Sequence, residues 1–200
     1  PHDRSDSIFL HSLWRSGSTY FFNVFRRNPA RYFAFQEPVH EIMLEGAKNP
    51  EVLMEMQPAA TEWMRHPKLD EAYFREAYIT QPSWKHSIRK ELIYDSYFGG
   101  ANDDLFVDYI RSLQSGREKT VVIQECRTSN RIGLLRDRLG GRHFYLSRDP
   151  WNQWWSYKIS SYFVAATQAI CNADNRPASL DHWAQEHGFN GVRFSDIREE

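Results

Sequence analysis

Ile8-Phe-Leu-His-Ser-Leu-Trp-Arg-Ser-Gly-Ser-Thr19 is a short apolar run that breaks into a hydroxyl-rich turn. Tyr20-Phe-Phe-Asn-Val-Phe25 follows it with apolar residues at helical spacing. Strand, glycine turn and helix in this order build an anion cradle. Backbone N–H groups and the positive end of the helix dipole converge on whatever charge sits at the turn. Arg15 adds a fixed cation with a planar donor fork, and Ser16, Gly17, Ser18 and Thr19 complete the loop with hydroxyl and amide donors. A Walker A loop needs G-x-x-x-x-G-K-S/T, whereas this loop holds one glycine and no lysine. ATP or GTP held in the usual way is therefore not the expected ligand.

The rest of the chain bounds what can surround this cradle. Two hundred residues suit one domain with a real core, expected over 1–200. A charged fraction of 26% with a net charge of -1 excludes a nucleic-acid partner recognised by bulk charge, so any anion site must be local. No apolar run reaches the ~18 residues a membrane span requires. Cys126 and Cys171 match neither a disulfide framework nor a metal spacing, and His182, His187 and Asp181 do not either. A reduced, cytoplasmic setting is expected, with no metal.

Outward from the first unit, strand 7–13 and helix 18–28 stop at Asn28-Pro29. Arg31-Tyr-Phe-Ala-Phe-Gln36 reads as a second strand. From about 38 to 116 the signals are helical, punctuated by Pro50, Pro58, Pro67, Pro82 and Gly99-Gly100, with one helix over 103–114. Thr120-Val-Val-Ile-Gln124 is a β-branched run suited to a buried strand. A helix over 128–139 ends at Gly140-Gly141. Arg142-His-Phe-Tyr-Leu-Ser147 forms another strand, and Asp149-Pro150 opens a long aromatic helix to about 172, its Trp151, Trp154 and Trp155 expected in the core. A last helix covers 178–187. Strands alternating with helices predict an α/β fold: a central parallel sheet with helices on both faces and a helical insertion at about 38–116.

A second anion motif, Ser147-Arg-Asp-Pro150, sits where a strand ends and a helix begins, the edge at which open α/β sheets bind ligands. Asp149 suits the N-cap and Pro150 the first helical turn. Ser156 follows Arg148 by eight residues, about two helical turns. Taken together, Leu13-Trp-Arg-Ser-Gly-Ser-Thr19 and Arg148-Asp-Pro150 with Ser156 resemble the two phosphate-binding motifs of sulfotransferases that use 3′-phosphoadenosine 5′-phosphosulfate (PAPS), closest to the carbohydrate and bacterial type. The resemblance spans about 8–160. It implies a P-loop-like three-layer sandwich and PAPS as the sulfuryl donor, with no metal. It also implies that Arg15, Ser16, Gly17, Ser18 and Thr19 hold the 5′-phosphate and the bridging oxygen, and that Arg148 and Ser156 hold the 3′-phosphate. No counterpart of the family's C-terminal glycine- and cation-containing closing loop is recognisable after 173, and the chain begins at Pro1. Two readings stay open: a fragment truncated at one or both ends, or a compact variant with a more open site.

Sulfuryl transfer to a hydroxyl of a small molecule or glycan needs a general base within hydrogen-bond reach. Glu37, in Phe35-Gln-Glu-Pro38, ends the second strand on the same edge as Arg15, and it resembles the glutamate base of the carbohydrate type; the other reading is a capping or salt-bridging carboxylate before a helix. His40 is the second candidate. At the end of the third strand, Glu125 and Arg127 reach the same edge. Arg127 either binds an anionic substrate group, orients Glu37 or pairs with Glu125. Trp84, Tyr94, Tyr97 and Phe98 either line an acceptor pocket or belong to the core. Two other classes fit parts of the pattern: a P-loop-type nucleotide phosphotransferase, and a non-catalytic nucleotide-binding module of the same fold.

Overall fold

In the computed structural model, residues 6–56, 67, 69–189, 191 and 193–196 are described. Four strands form one parallel sheet: β1 (Ile8–Ser12), β2 (Tyr32–Gln36), β3 (Thr120–Glu125) and β4 (Arg142–Leu146), in the order β2-β3-β1-β4. β1 is central, pairing Ile8 with Val122 and with Arg142, and β2 lies outside β3 with Tyr32 opposite Thr120. The period-two alternation of each strand sends side chains to two separate cores. Phe9, Phe35, Val121 and Ile123 join a large core beneath the helical insertion, whereas Ile8, Leu10, Ala34 and Val122 pack with Phe22 of helix α1 (Ser18–Arg26) on the other face. The result is α/β, an all-parallel sheet flanked by helices, fitting a three-layer arrangement.

The insertion consists of short helices: α2 (Ile42–Lys48), α3 (Val52–Glu55), α4 (Arg75–Ile79), α5 (Gln81–Trp84) and α6 (Asp103–Gln114). Trp84, Tyr94 and Tyr97 are buried in this layer, so they belong to the core rather than to an open pocket. α7 (Ile132–Leu139) puts Leu135 into the same layer and ends at Gly140, φ +67°, and Gly141, φ +88°. A Cβ at Gly141 would stand 2.7 Å from the Ser7 carbonyl, so β4 can enter the sheet only past a glycine. The four residues expected to begin α7, 128–131, form a turn instead.

Two expectations fail in the C-terminal third. The single helix over 150–172 is two, α8 (Pro150–Tyr157) and α9 (Tyr162–Cys171). Ser160 accepts the Tyr162 amide on its hydroxyl at 3.2 Å, a local serine–backbone bond that competes with helix continuation. Trp151, Trp154 and Trp155 are exposed, at 63%, 45% and 53%, and no residue of α8 is buried. The inward face of α8 is instead polar, because it must hydrogen-bond the loop after β1. α10 (Ala178–Glu186) closes the described chain with a single turn at Phe194–Asp196. Among the described residues, no helix is long and apolar enough to cross a membrane.

Candidate functional site

All strands run one way, so every strand delivers its carboxyl-end residue to the same edge. In sheet order these are Glu37 after β2, Arg127 after β3, Arg15 after β1 and Arg148 after β4. The helices that follow β1 and β3 pack on opposite faces, which makes the gap between these neighbouring strands a topological switch point, the kind of crevice at which open α/β sheets generally bind ligands. A cavity of about 170 Å³ opens there, and its lining includes Arg15, Gly17, Ser18, Thr19, Glu37, His40 and Arg148.

The loop after β1 has a geometry that suits an anion. Arg15 and Gly17 both have positive φ, +67° and +90°. Gly17 is the N-cap of α1 and supplies no side-chain cap, and the first turn of the helix carries no acid. The space where a Gly17 side chain would project is open. The Tyr20 amide closes onto the Gly17 carbonyl at 3.0 Å, so the amides of Ser18 and Thr19 are the ones placed to meet an external acceptor.

The second motif comes to meet it. Asp149 caps α8, accepting the Asn152 amide at 2.9 Å, with Pro150 at the first position. Arg15 Nε donates to Ser156 Oγ at 2.8 Å, and Arg148 Nη1 donates to the Arg15 carbonyl at 3.1 Å. Gln153 Nε2 fastens the same helix to the Trp14 carbonyl at 2.7 Å and to Ser16 Oγ at 3.2 Å. Ser16 Oγ itself donates to the Leu13 carbonyl at 2.7 Å, so its hydroxyl proton stabilises the turn rather than facing outward.

Glu37 sits across the cavity at φ +40°, its amide extending the β2–β3 ladder to the Gln124 carbonyl at 2.8 Å. Oε1 accepts the Tyr73 hydroxyl at 2.9 Å and Gln36 Nε2 at 3.3 Å, and Oε2 accepts Arg127 Nη1 at 3.1 Å. Three of about four acceptor positions are taken, leaving one on Oε2. Burial pushes the Glu37 pKa upward, but the Arg127 guanidinium, His40 and the Tyr73 hydrogen bond together hold it below the usual carboxylate value.

Arg127 is fully buried and its charged end is spent on Glu37, on Glu125 at 3.4 Å, on Glu41 at 3.0 Å and on the Tyr162 hydroxyl at 2.7 Å. Its two terminal nitrogens are taken by these groups, and it does not line the cavity. It orients Glu37 and pairs with Glu125, both of the other roles open to it from the sequence. Glu125 is buried too: it ties Val39 N at 2.6 Å to Cys126 N at 2.8 Å, pinning the loop that carries Glu37 and His40 to the end of β3. It does not line the cavity. Burial, opposed by Arg127, raises the Glu125 pKa to about 7.

His40 lines the cavity with its ring stacked on Tyr162. Its Nδ1 stands 3.1 Å from the Ile42 amide and 3.2 Å from Glu41 Oε2. The first contact needs a lone pair on Nδ1 and the second a proton, so the tautomer decides whether Nε2 can accept. Burial lowers the His40 pKa, against the raising effect of Glu41. Glu41 is held at about 2, where the pull of Arg127 overcomes burial.

Glu41, Tyr73, Tyr94 and Tyr162 complete the network; of these only Tyr94 is singled out by the sequence, and as pocket or core rather than as a partner of Glu41. Tyr73 lies 36 residues from Glu37 and Tyr162 lies 121 from Glu41, separations across which no local spacing speaks. Arg131 is also buried, donating to the Tyr97 and Leu92 carbonyls, and Lys158 lies over the Trp154 and Trp155 rings, so neither reaches the cavity. Among the described residues no group of three or more His, Cys, Asp or Glu side chains could hold a metal ion.

Comparison with protein-family models, curated proteins and solved structures gives no match to this chain. The reading of the site therefore rests on its own geometry.

Proposed function

We propose that this chain is a PAPS-dependent sulfotransferase of P-loop-like fold that moves a sulfuryl group to a hydroxyl acceptor. One observation carries the reading. The two anion motifs, 133 residues apart between Arg15 and Arg148, meet through Arg15–Ser156 and Arg148–Arg15 contacts beside a cavity that also contains a buried, ionised Glu37. The uncapped start of α1, the open space over Gly17 and the Arg15, Arg148 and Ser156 donors suit an anion with two phosphate groups.

The bound donor supplies an activated sulfuryl group on a phosphate leaving group. The acceptor oxygen forms the new bond to sulfur as the bond from sulfur to the phosphate oxygen breaks. Its proton passes to the remaining position on Glu37 Oε2, and the electron pair of the broken bond stays on the phosphate beside Arg15. Arg127 and Tyr73 hold the carboxylate in line. His40 is the second candidate base, favoured by the clamped state of Glu37 and open to it if Nδ1 bears the proton toward Glu41. The free, buried thiols of Cys126 and Cys171 support a reducing, cytoplasmic setting.

Calorimetric titration tests the reading. Adenosine 3′,5′-bisphosphate is expected to bind and to compete with PAPS, with ATP weaker. Binding of ATP without the bisphosphate rejects it in favour of a phosphotransferase. Bisphosphate binding without transfer of labelled sulfate to any acceptor leaves a non-catalytic module.

A further inference from the structure

β4 does not suit its place in a parallel sheet. Strands of all-parallel sheets are buried on both faces, and β1, β2 and β3 are wholly or mostly so. No residue of β4 is buried. Among the described residues β4 ends the sheet order, and no strand pairs with its outer edge. The register sets Phe144 beside Leu10, on the face that α1 shares, and Tyr145 beside His11 on the other face. The two rings are 53% and 51% exposed, so the open edge is flanked by apolar surface on both sides.

Edge strands are usually protected by proline, by lysine, by bulges or by a covering element. Arg142-His-Phe-Tyr-Leu146 has no proline and no lysine, and its fixed charge stands at the first position. Its outward N–H and C=O groups form a template for another strand.

The helix after β4 enlarges the apolar surface. α8 begins four residues beyond the strand, and its exposed Trp151, Trp154 and Trp155 touch one another at centroid distances of 5.0, 6.0 and 5.2 Å. With Phe144 and Tyr145 they make five rings, each about half exposed. At ~150–250 Å² per ring, this leaves ~500 Å² of aromatic surface around one edge. That is the upper end of the ~300–600 Å² of the largest patch on a typical monomer. Two such patches together reach the ~1,000 Å² a specific interface requires, before any flanking polar residue is counted.

We propose that β4 pairs antiparallel with β4 of a second copy of this chain, about a two-fold axis through Phe144. The two four-stranded sheets become one sheet of eight strands. Centring the axis on the middle residue gives the five-residue strand its longest overlap. Phe144 then faces its own counterpart, His143 faces the second copy's Tyr145, and Arg142 faces the second copy's Leu146. The same patch serves both copies, so the assembly closes at two. Each Arg142 also comes to the end of the strand where the other copy's α8 and its exposed tryptophan rings begin, a favourable setting for a guanidinium. This interface does not depend on the sulfuryl-transfer reading.

The test is sedimentation equilibrium of the full chain, with cysteine cross-linking to read the register. Wild type is expected at twice the 23.7 kDa of one chain in the micromolar range. Phe144→Lys sets two like charges opposite each other at an exposed position and is expected to weaken the dimer at least about tenfold. In the proposed register the two Phe144 Cα atoms stand ~4.5–5.5 Å apart, within disulfide reach, whereas the two Arg142 Cα atoms are about 13 Å apart. Mild diamide oxidation is therefore expected to cross-link Phe144→Cys and not Arg142→Cys; the native Cys126 and Cys171 are buried. A wild-type chain that stays monomeric through the micromolar range overturns the proposal. A dimer overturns it too if Phe144→Cys does not cross-link, if Arg142→Cys cross-links equally, or if folded Phe144→Lys associates as wild type does.

Discussion

Arg15 and Glu37 hold left-handed backbone conformations that cost a residue with a side chain roughly 1–2 kcal/mol each. Asn175 is the remaining non-glycine case among the described residues. Such strain persists only where the surroundings impose it. Here β-ladder pairing, Pro38 and the Arg127 network impose it on Glu37, and the grip of α8 imposes it on Arg15. The division of labour between these residues is testable. Glu37→Gln keeps the shape and loses the charge, so labelled-sulfate transfer is expected to fall by at least about 10²-fold while calorimetric bisphosphate affinity stays near wild type. Unchanged turnover removes Glu37 from the base role and transfers it to His40. Arg148→Ala is expected to do the reverse, weakening bisphosphate binding by about tenfold or more through loss of a charged donor. Arg127→Met leaves the Glu37, Glu41 and Glu125 carboxylates buried without their shared cation. A loss of about 3–5 kcal/mol in urea unfolding is expected.

At the scale of elements, the turn between β1 and α1 is the most legible part of the chain. Its glycine, hydroxyls and arginine have local roles that spacing alone reveals. Gly17→Ala tests this locally: no atom lies near its missing side chain, so the cost is purely that of φ +90°. A loss of about 1 kcal/mol by urea unfolding is expected. Helix α8 was legible only in part. Its cap at Asp149 and Pro150 followed from local chemistry, but the direction of its faces did not. Three tryptophans at helical spacing look like a core stripe, yet the polar stripe of Gln153 and Ser156 turned inward because the loop after β1 needed hydrogen-bond partners. Periodicity reports that a helix has two faces, not which one the neighbouring loop demands.

For the whole molecule, buried titratable groups predict how stability follows pH. Gly140 O can only accept, so His143 Nε2 donates to it at 2.9 Å. His143 Nδ1 then accepts from His11 Nε2 at 2.9 Å, and His11 Nδ1 accepts from Thr128 at 2.8 Å. The relay cannot hold both rings protonated, because His11 Nε2 and His143 Nδ1 would then both be donors facing each other. Burial, reinforced by the neighbouring His143, lowers His11 to about 3, and burial lowers His143 against the Gly140 bond and with Arg136. Depressed folded pKa values mean that the unfolded chain binds more protons. The histidine contribution is whole above the ordinary value of 6.5 and is lost progressively as pH falls below it, at up to about 1.4 kcal/mol per unit for one proton. Glu37 and Glu41 act in the same sense at lower pH, whereas the raised Glu125 acts oppositely between about 7 and its ordinary value. The urea midpoint of the wild type is expected to drop between pH 7.5 and 5, and that of His143→Gln to drop less. An equal fall in both removes the relay as a cause.

Local chemistry along the chain determined the alternation of strands and helices, the two anion turns and the candidates Arg15, Glu37, Arg148 and Ser156. Each of those depends on neighbours within a few residues. Tertiary structure decided the rest. The order β2-β3-β1-β4 aligned four strand ends into one edge, and packing buried Arg127 among three carboxylates instead of leaving it for substrate. It also brought Tyr73 and Tyr162 to Glu37 and Glu41. The physical reason is that burial and long-range hydrogen bonds are properties of the packed chain, where desolvation forces distant polar groups to find one another. The turn suited to an anion was written in the sequence; the aromatic residues that line the cavity beside it were brought together only by the fold.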